Sequence, residues 1–390
     1  MKKNNKKISL IVLVILLLAL FSIAGCFIYQ LIENNKNNNE DDLIKVQKTT
    51  EKEYHASFIG FGDALLHDGV YLDAATGRTG SDGYQIYDFT DMFTYIKPII
   101  EKYDLRFYNQ ETIIGGKNLG LSNYPLFNSP DEIGNDLVNS IGFNLVNTAT
   151  NHTLDKGTTG ALYSAKFWES KDNAYMVGTS SSVEKRNTIE IQEINGIKYA
   201  LLGYTYGTNG IPLPAGYEYL VNLYSDEQAK KDIESVRDKV DVVIVSMHWG
   251  VEYTHIPTNE QKRQAEYLSS LGVDVIIGHH PHVIQPIEYV NDTLVFYSLG
   301  NFISAQDGTA KRVGMMAGFD INKTFENGKT TIKIENPRAD LIWTYHQYYK
   351  NFKVIPFTKL NDSLLPGYKQ IYEQYKPIIT KYDSSVKVGV

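Results

Sequence analysis

From Ile8 to Ile32 the chain carries no charge and almost only apolar side chains, whereas beyond Tyr54 short apolar runs alternate with polar stretches. An uncharged run of this length predicts a helix that spans a hydrocarbon core. The later runs have the length of buried strands: Ala56 to Phe61, Leu145 to Thr148, Tyr199 to Leu202, Val242 to Ser246, Val273 to Ile277 and Leu294 to Tyr297. Helix-length segments lie between several of them, among them Thr159 to Lys171, Ser225 to Lys239 and Asn259 to Leu271. That alternation predicts an α/β layered fold. Between the two regimes, Glu33 to Lys52 is rich in Asn, Lys, Glu and Asp and reads as a solvated tether. The pattern divides the chain into a terminus (1–7), a membrane helix (8–32), a flexible linker (33–53), a main domain (54–320) and a C-terminal extension packing on it (321–390).

Charge orients the apolar run. Lys2, Lys3, Lys6 and Lys7 precede it and Glu40, Asp41 and Asp42 follow, which puts the N-terminus inside and everything after Glu33 outside the cytoplasm. Ile23-Ala24-Gly25-Cys26 resembles a lipobox, whose cysteine is lipidated after cleavage. Apolar residues continue past it as Phe27, Ile28, Tyr29, Leu31 and Ile32, where a mature lipoprotein turns polar, so an uncleaved signal anchor is favoured over anchoring through Cys26. A removed secretory signal fits least, because the run exceeds the usual h-region.

Composition narrows the function classes. With 43% hydrophobic and 21% charged residues the bulk of the chain is globular. A net charge of -7 and the lack of a basic stripe exclude a general nucleic-acid binder. Cys26 is the only cysteine, which excludes an intrachain disulfide and a four-thiolate zinc site, so any metal is held by nitrogen and oxygen. The 28 tyrosines include a cluster at Tyr204, Tyr206, Tyr217, Tyr219 and Tyr224, which fits either a polymer-binding cleft or ordinary half-buried packing.

The residues able to carry chemistry follow the apolar runs, where ligands collect in open α/β sheets. Asp63 follows Gly62 at the end of the first run and fits a ligand or a turn cap. Asn109-Gln110-Glu111 sets an amide and a carboxylate on one side of an extended segment. Asn151, His152 and Asp155 pack an amide, an imidazole and a carboxylate into five residues; turn capping explains the first and last but not His152. His248 begins His-Trp-Gly-Val-Glu-Tyr, and Gly278-His279-His280-Pro281-His282 holds three histidines in four positions, with His280 and His282 projecting to one side. Such donors suit Mn, Fe or Zn, and carboxylates bridging two such ions activate water on phosphate esters.

These blocks, with Tyr206-Gly207-Thr208-Asn209-Gly210-Ile211-Pro212 and Ser298-Leu299-Gly300-Asn301-Phe302, resemble in order the motifs of the CapA family of capsule synthesis proteins, from about Ser57 to about Phe357. The resemblance implies a metallophosphoesterase-like layered sandwich, with two central mixed β-sheets flanked by helices, behind an N-terminal transmembrane helix. It implies one or two divalent ions held by Asp63, Asn109, Glu111, Asn151, His248, His280 and His282. It makes His152 the proton donor to a leaving oxygen, with Asp155 in the catalytic set, and His279, Asn209 and Asn301 substrate-binding. It also implies capsule synthesis or export, with an anionic polymer such as poly-gamma-glutamate and other membrane components of that machinery as partners. A locally positive groove is then required, for which His279, Lys311 and Arg312 are the candidates. Three departures stand out from the wider phosphoesterase pattern: Ala64-Leu65 follow Asp63 where Asp-x-His is usual, with His67 the nearest histidine; Glu111 replaces an aspartate; and Gly-His-x-His is stretched to Gly-His-His-Pro-His. Two other readings therefore stand beside capsule synthesis: an active extracytoplasmic metallophosphoesterase acting on an envelope or nucleotide phosphate, and a structural assembly subunit with a vestigial site.

Overall fold

The computed structural model describes residues 4–46 and 51–390 in two units. The N-terminal unit is a helix, Asn4–Val46, of which Ile11–Lys36 is long and apolar enough to cross a membrane by length and composition. The helix runs through the polar stretch to Val46, so residues 33–46 are helical and not the coil expected of a tether. Extending a formed helix needs no new nucleus, so the polar residues continue the turns that the apolar run starts. Residues 47–50, the remainder of that expected linker before the first strand, lie outside the described residues.

The globular unit is built on two mixed sheets. The first runs in the order Lys350–Pro356, Lys329–Gln347, Val313–Glu326, Lys52–Leu65, Leu105–Asn109, Leu145–Asn147, Tyr175–Val177, with Asn301–Ser304 also paired to Lys52–Leu65. The second runs Ile287–Val290, Thr293–Phe296, Val275–His279, Val242–His248, Ile197–Thr205, Gln192–Ile194. Its four inner strands are parallel and its edges antiparallel.

Side chains of alternate sign of projection sort into separate cores, as the two-residue strand repeat demands. Val242 and Ile244 join Phe58, Phe107, Ile277, Phe296, Met315 and Leu341 between the sheets. Val243, Val245 and Met247 of the same strand pack outward on Ala229 and Ile233 of helix Asp226–Val236 and Ala265 and Leu268 of helix Asn259–Ser270. On the other side Phe61, Tyr108, Val146 and Phe302 meet Phe93, Leu137 and Trp168. The result is two sheets flanked by helices, as expected, and each of the six apolar runs meets a strand. Helix starts follow local chemistry: Ser225 accepts from Gln228 N–H, and Thr258 with Gln261 forms a capping box.

The C-terminal region departs from the extension expected at 321–390. The boundary at 320 falls inside strand Val313–Glu326, and Ala339, Leu341, Trp343 and Ile355 lie in the inter-sheet core, so these residues build the first sheet. Their strands alternate apolar with charged positions, as in Thr331-Ile332-Lys333-Ile334-Glu335, and lack the unbroken apolar runs that mark strands buried on both faces.

Candidate metal centre

The parallel strands end on one side, and their ends carry the polar residues. Asp63 stands near the end of Lys52–Leu65, where the pairing register shifts on both sides of it. Gly62 must be glycine: a Cβ there would lie 1.7 Å from Gly300 O, the atom that accepts from Asp63 N–H at 2.9 Å. Asn109, Asn147, His248 and His279 each close a strand, and Glu111 follows two residues after Asn109. Past His279 the chain turns through His280 and His282 with φ of 95° and 59°. Left-handed backbone at two non-glycine residues costs on the order of 1–3 kcal/mol each, and such strain clusters at functional sites.

These segments bring Asp63, Glu111, His248, His280 and His282 into one buried cluster. His282 Nδ1 lies 3.3 Å from Asp63 Oδ2 and 3.6 Å from Glu111 Oε2, and His248 Nε2 lies 3.7 Å from Glu111 Oε1. His280 donates its backbone N–H to Asp63 Oδ2 at 3.2 Å. Two sets, Asp63–Glu111–His282 and Glu111–His248–His280, each hold their donor atoms within 4.8 Å of one another, and Glu111 belongs to both. Glu111 is 1% exposed, yet neither of its oxygens has a hydrogen-bond partner. A buried carboxylate without partners is strongly disfavoured unless a cation neutralises it.

The electrostatics agree. Burial, against the pull of His282 and reinforced by Asp63, drives the Glu111 carboxyl well above its usual range. Burial alone would raise Asp63 too, but the hydrogen bond and charge of His282 hold it below. Burial would lower His282, but Glu111 and Asp63 together hold it up at about 9. Burial lowers His279 to about 4 and His280 to about 3, and drives His248 well below its usual value. The neutral imidazoles of His248 and His280, with His282 and the carboxylates of Asp63 and Glu111, make a nitrogen and oxygen donor set that fits divalent cations of the Mn, Fe or Zn kind, a bound cation taking the place of the proton on His282.

Around this cluster the amides divide into different roles. Ala149 N–H donates to Asn147 Oδ1 at 3.3 Å, which directs Asn147 Nδ2 to Asn109 Oδ1 at 2.7 Å. Asn109 then donates from Nδ2 to Asp63 Oδ1 at 2.8 Å. Asn109, expected among the ligands, thus orients Asp63, its oxygen being engaged by Asn147. Asn151 does turn its oxygen to the cluster, 2.8 Å from His248 Nε2, while its nitrogen donates to Asn209 Oδ1 at 3.1 Å. His152 Nδ1 lies 2.7 Å from Asp155 Oδ2, and the ring rests edge-on against Phe127.

Two of the residues expected to contact substrate are buried. His279 has no exposed surface; it stacks on Phe107 behind Asp63, which Nδ1 approaches to 3.7 Å. Asn301 is equally buried, with Oδ1 3.0 Å from His282 Nδ1 and Nδ2 donating to Gln306 Oε1 and Lys311 O, so it orients His282. Asn209 alone of that set is exposed at the rim. Of the cationic candidates, Lys311 Nζ stands over the Tyr253 ring, itself 6.0 Å from His282. Arg312 turns away onto Trp343 and donates to Thr344 O. From the tyrosine cluster, Tyr206 reaches the centre, its ring 4.7 Å from that of His280, whereas Tyr204 is buried with its hydroxyl on Asp232.

Three residues to which the sequence reading gave no role belong here. Asn147 ends a strand, Glu252 lies four residues after His248 and forms a third donor set with His280 and His282, and His67 meets edge-on the same Phe127 ring that His152 meets. A polar residue at the end of a buried run was the available signal for Asn147. For Glu252 it was a carboxylate within a histidine motif.

A family model described as "Bacterial capsule synthesis protein PGA_cap" matches residues 57–306. The chain is 31% identical over 291 residues to "PGA biosynthesis protein CapA" of Bacillus subtilis (strain 168), covering 72% of this chain and 70% of that protein. It is 26% identical over 280 residues to "Capsule biosynthesis protein CapA" of Bacillus anthracis, covering 70% of this chain and 65% of that one. Similar solved structures include a calcineurin-like phosphoesterase, YfkN, from Bacillus subtilis, with a TM-score of 0.42, 15% identity, and coverage of 83% of this chain and 98% of that one. The NAD nucleotidase of Haemophilus influenzae also has a TM-score of 0.42, with 15% identity and coverage of 87% and 64%.

Proposed function

The chain belongs to the bacterial capsule synthesis protein family, and from that premise we propose that it serves the synthesis or export of an anionic polymer of the poly-gamma-glutamate class through a metal centre built on Glu111. The observation that carries the reading is the position of Glu111, common to two donor sets, buried, and with both oxygens unpartnered. Asp63 and His282 hold one side of the centre and His248 and His280 the other, with the Asn151 oxygen beside His248. Bound there, one or two divalent ions of the Mn, Fe or Zn kind supply polarisation of an anionic oxygen and a lowered pKa for a neighbouring water. Tyr206 and Asn209 line the mouth, and Lys311 over Tyr253 supplies positive charge to an approaching carboxylate.

The helix Ile11–Lys36 anchors the protein as a single span, with the globular unit outside the cytoplasm beside other membrane components of the machinery. The test uses full-length protein in detergent and a host strain lacking the gene. Glu111→Ala is expected to lose bound metal and to restore less polymer than the wild type does. Wild-type protein purified without bound metal, or undiminished polymer with Glu111→Ala, overturns the reading.

A second reading, an extracytoplasmic metallophosphoesterase, is favoured by the His152–Asp155 pair beside the centre. Asp155 occupies Nδ1 of the imidazole, which leaves Nε2 to hold a proton for a leaving oxygen. Turnover of a generic phosphodiester by the metal-loaded protein tests it.

A further inference from the structure

Glu252 differs from the other carboxylates of the centre in being exposed, yet a carboxylate oxygen of it lies within 4.8 Å of ligand atoms of both His280 and His282. His280 also belongs to the set with Glu111 and His248, and His282 to the set with Asp63 and Glu111. Glu252 is therefore a third carboxylate at the centre, within reach of donors from both of its sides and exposed where the others are buried.

Its placement is built into the chain. Gly250 has φ of 88°, and a Cβ there would lie 2.6 Å from Gln261 Oε1, so the turn sits directly on the capping box of helix Asn259–Ser270. Gln261 is itself held by Gln285. Tyr253, with φ of 65°, donates its N–H to Pro281 O at 2.8 Å, which ties the turn to the loop between His280 and His282. The backbone before Glu252 thus rests on that helix and the backbone after it is tied to the histidine loop, while Glu252 itself is exposed. A buried ligand with fixed partners stays in place, whereas an exposed one exchanges readily with another anionic oxygen of the same charge and hardness.

We propose that Glu252 is a displaceable carboxylate cap on the open face of the metal centre, holding the position that an anionic oxygen of the incoming ligand takes. The proposal rests on the metal-centre reading above. The chemistry it selects is that of a carboxylate, which a γ-linked glutamate polymer carries free on the α-carbon of every residue, and Lys311 over Tyr253 lies beside that approach. The same position would accept a phosphate oxygen.

Full-length wild-type and Glu252→Gln proteins, each loaded with Co(II), would be titrated calorimetrically with a γ-linked glutamate oligomer and separately with inorganic phosphate. The cap predicts equal bound Co(II) in the two proteins, a changed Co(II) absorption spectrum in Glu252→Gln before any anion is added, and about tenfold tighter binding of the oligomer. A tenfold gain corresponds to about 1.4 kcal/mol. A gain with phosphate alone retains the cap and assigns phosphate as the displacing group. An equal gain in metal-free proteins overturns the proposal, because removal of a like charge then explains it. No gain with either anion at equal Co(II) content also overturns it, whereas wild-type protein that binds no Co(II) overturns the metal-centre reading instead.

Discussion

His152 presents Nδ1 to the Asp155 carboxylate at 2.7 Å, and the same Asp155 oxygen accepts the N–H of Phe127, whose ring packs edge-on against His152. One carboxylate thereby fixes both the imidazole and the aromatic wall beside it. On the phosphoesterase reading, His152→Ala removes a proton donor and leaves every member of the two inner donor sets in place. The kcat for a phosphodiester is expected to fall by about 10²–10⁴-fold, with bound metal unchanged by elemental analysis. Equal loss of metal and activity would assign His152 a structural part instead.

The metal-free protein is expected to be most stable close to pH 6.5–7. Burial lowers His67 and His279 to about 4 and His280 to about 3, and drives His248 well below its usual value. Below their unfolded value of 6.5 the unfolded chain takes protons that the folded chain refuses, so stability falls as pH drops through that window. His282 has the opposite sign: held up at about 9, its contribution is fully present below 6.5 and is lost as pH rises through 9. Thermal denaturation of chelator-treated full-length protein at about pH 5, 6.8 and 9 checks both limbs. Adding Mn or Zn should flatten the alkaline limb, because a bound cation replaces the proton that His282 otherwise needs.

Much of the centre was legible because strands buried on both faces produce unbroken apolar runs, and a polar residue at the end of such a run has few reasons to be there. Asp63, His248 and the histidines after Ile277 were found that way. Which way an amide points was not legible: Asn109 and Asn151 look alike in sequence, and hydrogen bonds from Asn147 and to Asn209 set their different roles. Burial of His279 and Asn301 was equally hidden, since it comes from strands far away in sequence folding over them. The C-terminal strands escaped because they alternate apolar and charged residues, and the helix beyond Ile32 because its polar residues gave no apolar pattern.

Protease added to intact protoplasts is expected to release a soluble fragment of nearly the full size of the globular unit. The exposed apolar helix Ile11–Lys36 with lysines before it motivates this expectation. Mass spectrometry of the purified protein should find Cys26 unmodified and the N-terminal lysines still attached. A protected globular unit would reverse the topology, and a diacylated Cys26 at the N-terminus would establish lipoprotein anchoring.

Asn147 provides the most local test of how the centre is positioned. Its amide fits between Gly178 and Gly203, where an added Cβ would lie 2.9 and 2.2 Å from Asn147 Oδ1, so neither neighbour leaves room for a side chain. From that seat it donates to Asn109, and Asn109 donates to Asp63. Asn147→Ala leaves the Asn109 oxygen buried without this donor, which costs about 1–3 kcal/mol of stability. It also frees the Asn109 amide to rotate away from Asp63. Residues that orient metal ligands typically account for about 10–100-fold in metal affinity, and a loss in that range is expected here because Asn147 acts on Asp63 through Asn109. Gly203→Ala should produce the same weakening by pushing on the amide from behind. Competitive titration against a chromogenic chelator measures both variants, with circular dichroism confirming the fold. Unchanged metal affinity in a folded Asn147→Ala protein would show that Asp63 is held without the asparagine chain.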